Sequence, residues 1–82
     1  MENVTRSYIV DIAMELKEAK IKHPYFPETL CQQFTILQEE VGEVAKAIND
    51  YNDGEGTKQQ VRQELLQSTA MCLRMLENLK FE

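Results

Sequence analysis

In 82 residues there is no tryptophan, one histidine, two cysteines, two prolines and three glycines. Each scarcity excludes something. Without tryptophan, a base pocket loses its best stacking side chain, and only Tyr8, Tyr25, Tyr51, Phe26, Phe34 and Phe81 remain. The one histidine, His23, stands beside Pro24 with no partner at ligand spacing, which argues against zinc, a metal that favours nitrogen and sulfur. Cys31 and Cys72 fall in apolar-periodic segments with no histidine at motif spacing. They read as two buried thiols of a reducing, cytoplasmic protein, neither a disulfide nor a nucleophile. The polar start Met1-Glu2-Asn3-Val4-Thr5-Arg6 does not resemble a secretory signal, and no apolar run approaches membrane-spanning length.

Positive charge is scarce too. Nine basic residues stand against fourteen acidic ones, a net charge of −5. A nucleic-acid polymer needs a basic patch, so it is excluded as the main partner. A nucleotide is not excluded, because metal ions can bridge acidic side chains to phosphates. The length sets one small domain, 1–82, which buries only a modest share of its surface and gains from oligomerisation.

No segment alternates with the two-residue period of a half-buried strand. Two breaks divide the chain: Lys22-His23-Pro24-Tyr25-Phe26-Pro27, where the prolines interrupt any helix, and Asn52-Asp53-Gly54-Glu55-Gly56. Three helices are predicted, over about Asn3–Ile21, Glu28–Tyr51 and Lys58–Lys80. The first has the stripe Val4, Tyr8, Ile12, Leu16 and Ala19, with Asp11, Glu15, Lys17, Glu18 and Lys22 on its other face. The second has the stripe Leu30, Phe34, Leu37, Val41, Val44, Ala45, Ile48 and Tyr51. The third begins with the capping-box pattern Thr57-Lys58-Gln59-Gln60 and is apolar over so much of its girth that it should be central or lie in a subunit interface. The fold class is all-α, a three-helix antiparallel bundle completed by homo-oligomerisation, with the two long helices as antiparallel neighbours across a short loop.

Acids dominate the remaining pattern. At about 100° per residue, Glu39 and Glu43 lie opposite the second helix's stripe and Glu40 nearer its edge. Glu40 and Glu43 form an i,i+3 pair, and so do Glu64 and Gln67 on the third helix. If the helices pack antiparallel, the pairs can face each other and offer three carboxylates and an amide oxygen to a hard cation such as Mg²⁺. A solvated face with ion pairs among Glu39, Glu43 and Lys46 explains the same acids. Two features favour a site. Glu64 lies at the margin of a strongly apolar helix, where a free carboxylate is costly. The acids also cluster where the two helices run together, without an equal number of bases.

The stretch Ile36-Leu37-Gln38-Glu39-Glu40-Val41-Gly42-Glu43-Val44-Ala45-Lys46-Ala47-Ile48, followed by Glu64-Leu65-Leu66-Gln67, resembles the MazG-like nucleotide pyrophosphohydrolases of the all-α NTP pyrophosphatase superfamily. The family pattern is E-E-x-x-E, a variable gap, then E-x-x-D. His23-Pro24-Tyr25-Phe26-Pro27 and Ala70-Met71-Cys72-Leu73-Arg74-Met75-Leu76-Glu77 resemble the short phage-type and bacterial members, so that the likeness spans roughly residues 20 to 80.

The resemblance implies hydrolysis of a nucleoside triphosphate to the monophosphate and pyrophosphate with Mg²⁺ or Mn²⁺, in nucleotide house-cleaning, by a homodimer or homotetramer. It implies Glu40, Glu43 and Glu64 as metal ligands, with Gln67 at the fourth position. It assigns Glu39 as a further ligand or as the group that positions the attacking water. Gln67 departs from the family, which has Asp there, and leaves four carboxylates where the full pattern has five. The alternative is a non-catalytic MazG-like helical module with a weakened metal site, or a dimerisation domain whose acids are only solvated. Arg74, on Gln67's flank, and Lys46 are the cations that could touch substrate phosphates, although Lys46 reads first as a partner of Glu39 or Glu43. Tyr25 and Phe26 should plug the bundle end, and Met14, Met71 and Met75 should fill the core or an interface.

Overall fold

The computed structural model describes residues 2–81, so Met1 and Glu82, the ends of the expected domain, lie outside it. It contains α1 (Asn3–Lys22), α2 (Leu30–Asn52) and α3 (Lys58–Asn78), and no strand among the described residues. The fold is all-α, as the patterning predicts.

Side chains set the helix starts. The Thr57 hydroxyl accepts a hydrogen bond from the Gln60 backbone N–H at 3.2 Å, and the Gln60 side chain accepts one from Thr57 N–H at 2.8 Å. This is the capping box expected from Thr57-Lys58-Gln59-Gln60. A second cap at Thr29, which accepts from Gln32 N–H, moves the start of α2 from Glu28 to Leu30. After α2 the chain turns at Gly54, whose φ of 77° lies in the left-handed region.

α3 is the central helix. α1 and α2 each pack against it, and not on one another among the described residues. The short turn makes α2 antiparallel to α3. α1 instead runs parallel to α3: Asp11, midway along α1, pairs with Arg62 in the first turns of α3, and Lys20 near the end of α1 pairs with Glu77 near the end of α3 at 2.7 Å.

Among the described residues, four apolar side chains are buried: Leu16, Ala47, Leu66 and Ala70. The packing faces overlap the predicted stripes only in part: Leu16 is buried and Ile12 and Ala19 are half-buried on α1, and Leu37 and Val44 are half-buried on α2. On α1, Asp11 and Glu15 are half-buried toward α3, bonded to Arg62 and Gln63. On α2, Gln33 and Ala47 are buried and Glu40 is half-buried, a seven-residue row turned to α3. Leu30, Phe34, Val41 and Ile48 of the predicted stripe are left largely exposed. With one neighbour instead of two, α2 buries only one edge of its apolar face. Cys31 and Cys72, expected to be buried, are free and exposed.

Candidate functional site

The acids meet at the α2–α3 contact. Glu40 belongs to the row of α2 that faces α3, and it is half-buried there. Its pKa is raised above the ordinary carboxylate range, first by burial, then by the negative charges of Glu64, Glu43 and Glu39, with His23 acting the other way. The charge of Glu64 acts on Glu40 more strongly than that of Glu43, although Glu43 sits on the same helix one turn from Glu40. Glu40 and Glu64 are both half-buried, on two helices that pack together. Gln67, one turn beyond Glu64, is half-buried, whereas Glu39 and Glu43 are exposed.

Oxygen donors of this kind suit a hard cation. Their spacing is not that of a closed cage. Among the described residues, no group of three or more His, Cys, Asp or Glu side chains is gathered closely enough to hold a metal ion. The site brings like charges together across two helices without collecting them into a preformed chelate.

Each candidate cation already has a partner, Arg74 in the interior and Lys46 at the surface. Arg74 is only 5 % exposed. Its guanidinium donates to the backbone carbonyls of His23 at 2.7 Å and Ala19 at 3.5 Å, and lies 4.5 Å from the centre of the Phe26 ring. It thereby satisfies carbonyls at the C-terminus of α1, a position that favours positive charge. Lys46 pairs with Asp50 at 3.2 Å, not with Glu39 or Glu43, and the Asp50 carboxylate raises its pKa. Its side chain is nonetheless largely exposed.

The Pro24–Pro27 loop divides its two aromatic residues. Phe26 is half-buried beneath Arg74, as a plug at the bundle end, but Tyr25 is 93 % exposed. Met71 and Met75 are half-buried on α3, while Met14 is exposed on α1.

Sequence reasoning missed Gln33. It is 3 % exposed, and its amide donates to the Pro27 carbonyl at 2.8 Å, tying the loop to α2. The signal was its place seven residues before Glu40. It also missed that Glu15 of α1 reaches Gln63, one turn before Gln67. Compared with protein-family models, characterised proteins and solved structures, the chain matches none.

Proposed function

We propose that this chain is a metal-dependent nucleoside triphosphate pyrophosphohydrolase of MazG-like type, cleaving a nucleoside triphosphate to the monophosphate and pyrophosphate in nucleotide house-cleaning. The observation that carries the reading is the convergence of negative charge on half-buried Glu40, with Glu64 contributing from the opposite helix. Such repulsion is costly unless a cation or proton relieves it.

In this reading Glu40, Glu43, Glu64 and the amide oxygen of Gln67 would hold Mg²⁺ or Mn²⁺. A cation there neutralises phosphate oxygens and lowers the pKa of a bound water. Glu39, next to Glu40 and exposed, would orient the attacking water. Exposed Lys46 is the cation available to the phosphates, since Arg74 is engaged at the end of α1. Free Cys31 and Cys72 accord with a reducing, cytoplasmic setting. The resemblance also calls for a homodimer or homotetramer.

A second reading, a helical module that does not turn over nucleotide, is favoured by the lack of a preformed chelate among the described residues and by the neutral Gln67. A pyrophosphate-release assay across canonical and modified nucleoside triphosphates, with Mg²⁺ and with Mn²⁺, separates the two. The proposal expects turnover that disappears in Glu40→Gln and Glu64→Gln. Absence of turnover across the panel, with either metal, leaves the non-catalytic module.

A further inference from the structure

We infer that the groove between α1 and α2, floored by α3, binds a single-chain amphipathic anion, with its carboxylate at Lys58 and its apolar tail along α3 toward Thr69. The site is separate from the acids and requires nothing of the metal reading.

The groove exists because α1 and α2 both pack on α3 and not on one another among the described residues. Tyr8 and Ile12 of α1 form one wall, and Ile48 and Tyr51 of α2 the other. The floor runs along α3 from Lys58 to Thr69, about 16 Å at 1.5 Å per residue. Its volume of about 550 Å³ falls within the range of small-molecule sites. Tyr8, Ile48, Tyr51 and Leu65 are each 40–49 % exposed, so apolar surface stands open to solvent where a tail would cover it.

The two ends of the groove differ. At one end Lys58 and Arg62 stand a turn apart on α3, each over a tyrosine ring. Lys58 Nζ lies 5.8 Å from the centre of the Tyr51 ring, and the Arg62 guanidinium 5.2 Å from that of Tyr8. The rings belong to opposite walls, so a cation is held at each side. Arg62 is paired with Asp11, whereas Lys58 has no ion-pair partner among the described residues. At the other end Thr69 commits its hydroxyl to the Leu65 carbonyl at 2.8 Å, which leaves that end without a free donor.

Charge identifies the occupant. Acidic residues outnumber basic ones fourteen to nine, yet no acidic side chain lines the groove, and its charged lining groups are Lys58 and Arg62. The chain as a whole favours a cation, and this groove reverses the preference. A wholly apolar ligand would leave Lys58 without a counter-charge. A compact anion such as inorganic phosphate would leave the apolar walls wet. The acids lie elsewhere on the same helices. Leu65 and Thr69 are about 100° and 140° around α3 from Glu64, and Tyr51 is about 16 Å along α2 from Glu40.

Isothermal titration of the full chain with decanoate and with decylammonium tests the inference, in EDTA and below the concentration at which either forms micelles. One decanoate should bind per chain, roughly tenfold more tightly than decylammonium, because it gains a hydrogen bond between charged groups. Non-specific adsorption to a chain of net charge −5 would rank the two the other way. Octanoate should bind roughly tenfold more weakly than decanoate, since each buried methylene contributes about fourfold. Lys58→Glu changes an exposed position in the first turn of α3, where an acid is favoured, so it should fold as the parent does and lose the preference for decanoate. Thr69→Phe fills the far end and should remove the gain from octanoate to decanoate. Equal or tighter binding of decylammonium overturns the inference. So does a decanoate affinity that Lys58→Glu leaves unchanged. Absence of saturable binding overturns it too, as when another copy of the chain covers the groove. None of these measurements involves pyrophosphate release, so this inference and the proposed activity fail separately.

Discussion

Arg74→Ala separates a structural guanidinium from a catalytic one. The substitution removes two charge-assisted hydrogen bonds to the end of α1, at 2.7 and 3.5 Å, and the stacking over Phe26. A hydrogen bond to a charged group contributes roughly 1.5–3 kcal/mol. The 3.5 Å contact is at the limit of hydrogen bonding and counts for little. A cation over an aromatic ring adds about 0.5–2 kcal/mol. The freed carbonyls lie at a helix end, where water can partly replace the guanidinium. A net loss of about 3 kcal/mol follows. For a domain of this size each kcal/mol moves the melting temperature by about 4–8 °C, so the variant should melt roughly 12–24 °C lower. Far-UV circular dichroism at fixed protein concentration measures this, concentration being held because association also shifts melting. Arg74→Lys keeps the charge without the planar fork and should fall between the two. If Arg74→Ala melts within about a degree of the parent but no longer binds nucleotide, the reasoning fails and Arg74 is a substrate ligand.

Glu40→Gln should stabilise the metal-free protein at neutral pH. The folded-state pKa of Glu40 is raised, so the unfolded chain binds fewer protons over the interval between the two pKa values. Stability therefore falls as pH rises through that interval, and the advantage of Glu40→Gln should vanish as pH drops to the ordinary carboxylate range. An advantage independent of pH in melts with EDTA would contradict this. Gln67→Asp should bind Mn²⁺ more tightly in calorimetry, whereas equal or weaker affinity places Gln67 outside any metal site. Thr57→Ala loses the hydroxyl half of the capping box and should cost about 1 kcal/mol, read as a drop of several degrees in melting temperature.

Much of the fold was legible because local chemistry decides it. The prolines at 24 and 27 and the glycines at 54 and 56 end helices whatever surrounds them, and Thr57 with Gln60 forms its cap without tertiary help. The same T-x-x-Q pattern occurs at Thr29 and Gln32 and marks the true start of α2. What the sequence could not settle is which edge of an apolar face meets which neighbour. The row of α2 with the highest apolar content is not the row buried most deeply. Gln33 and Ala47 are buried and Glu40 is half-buried, with Leu37 and Val44 of the apolar row half-buried beside them. The partners of Lys46 and Arg74 were likewise undecidable. Asp50 and Glu43 are each about one helical turn from Lys46 and Glu39 about two, all on one face, and the carbonyls that hold Arg74 lie more than fifty residues away in sequence.

The parallel placement of α1 bears on how the chain assembles. α2 and α3 are joined by a turn of five residues, so closing their contact fixes little chain and is fast. α1 joins α3 through pairs such as Asp11–Arg62 and Lys20–Glu77, separated by more than fifty positions, and much of its attachment is polar. Loop-closure entropy therefore puts the hairpin first and the docking of α1 last. The amide hydrogens of α1 should exchange ahead of those of α3, opening as a unit while the hairpin stays closed.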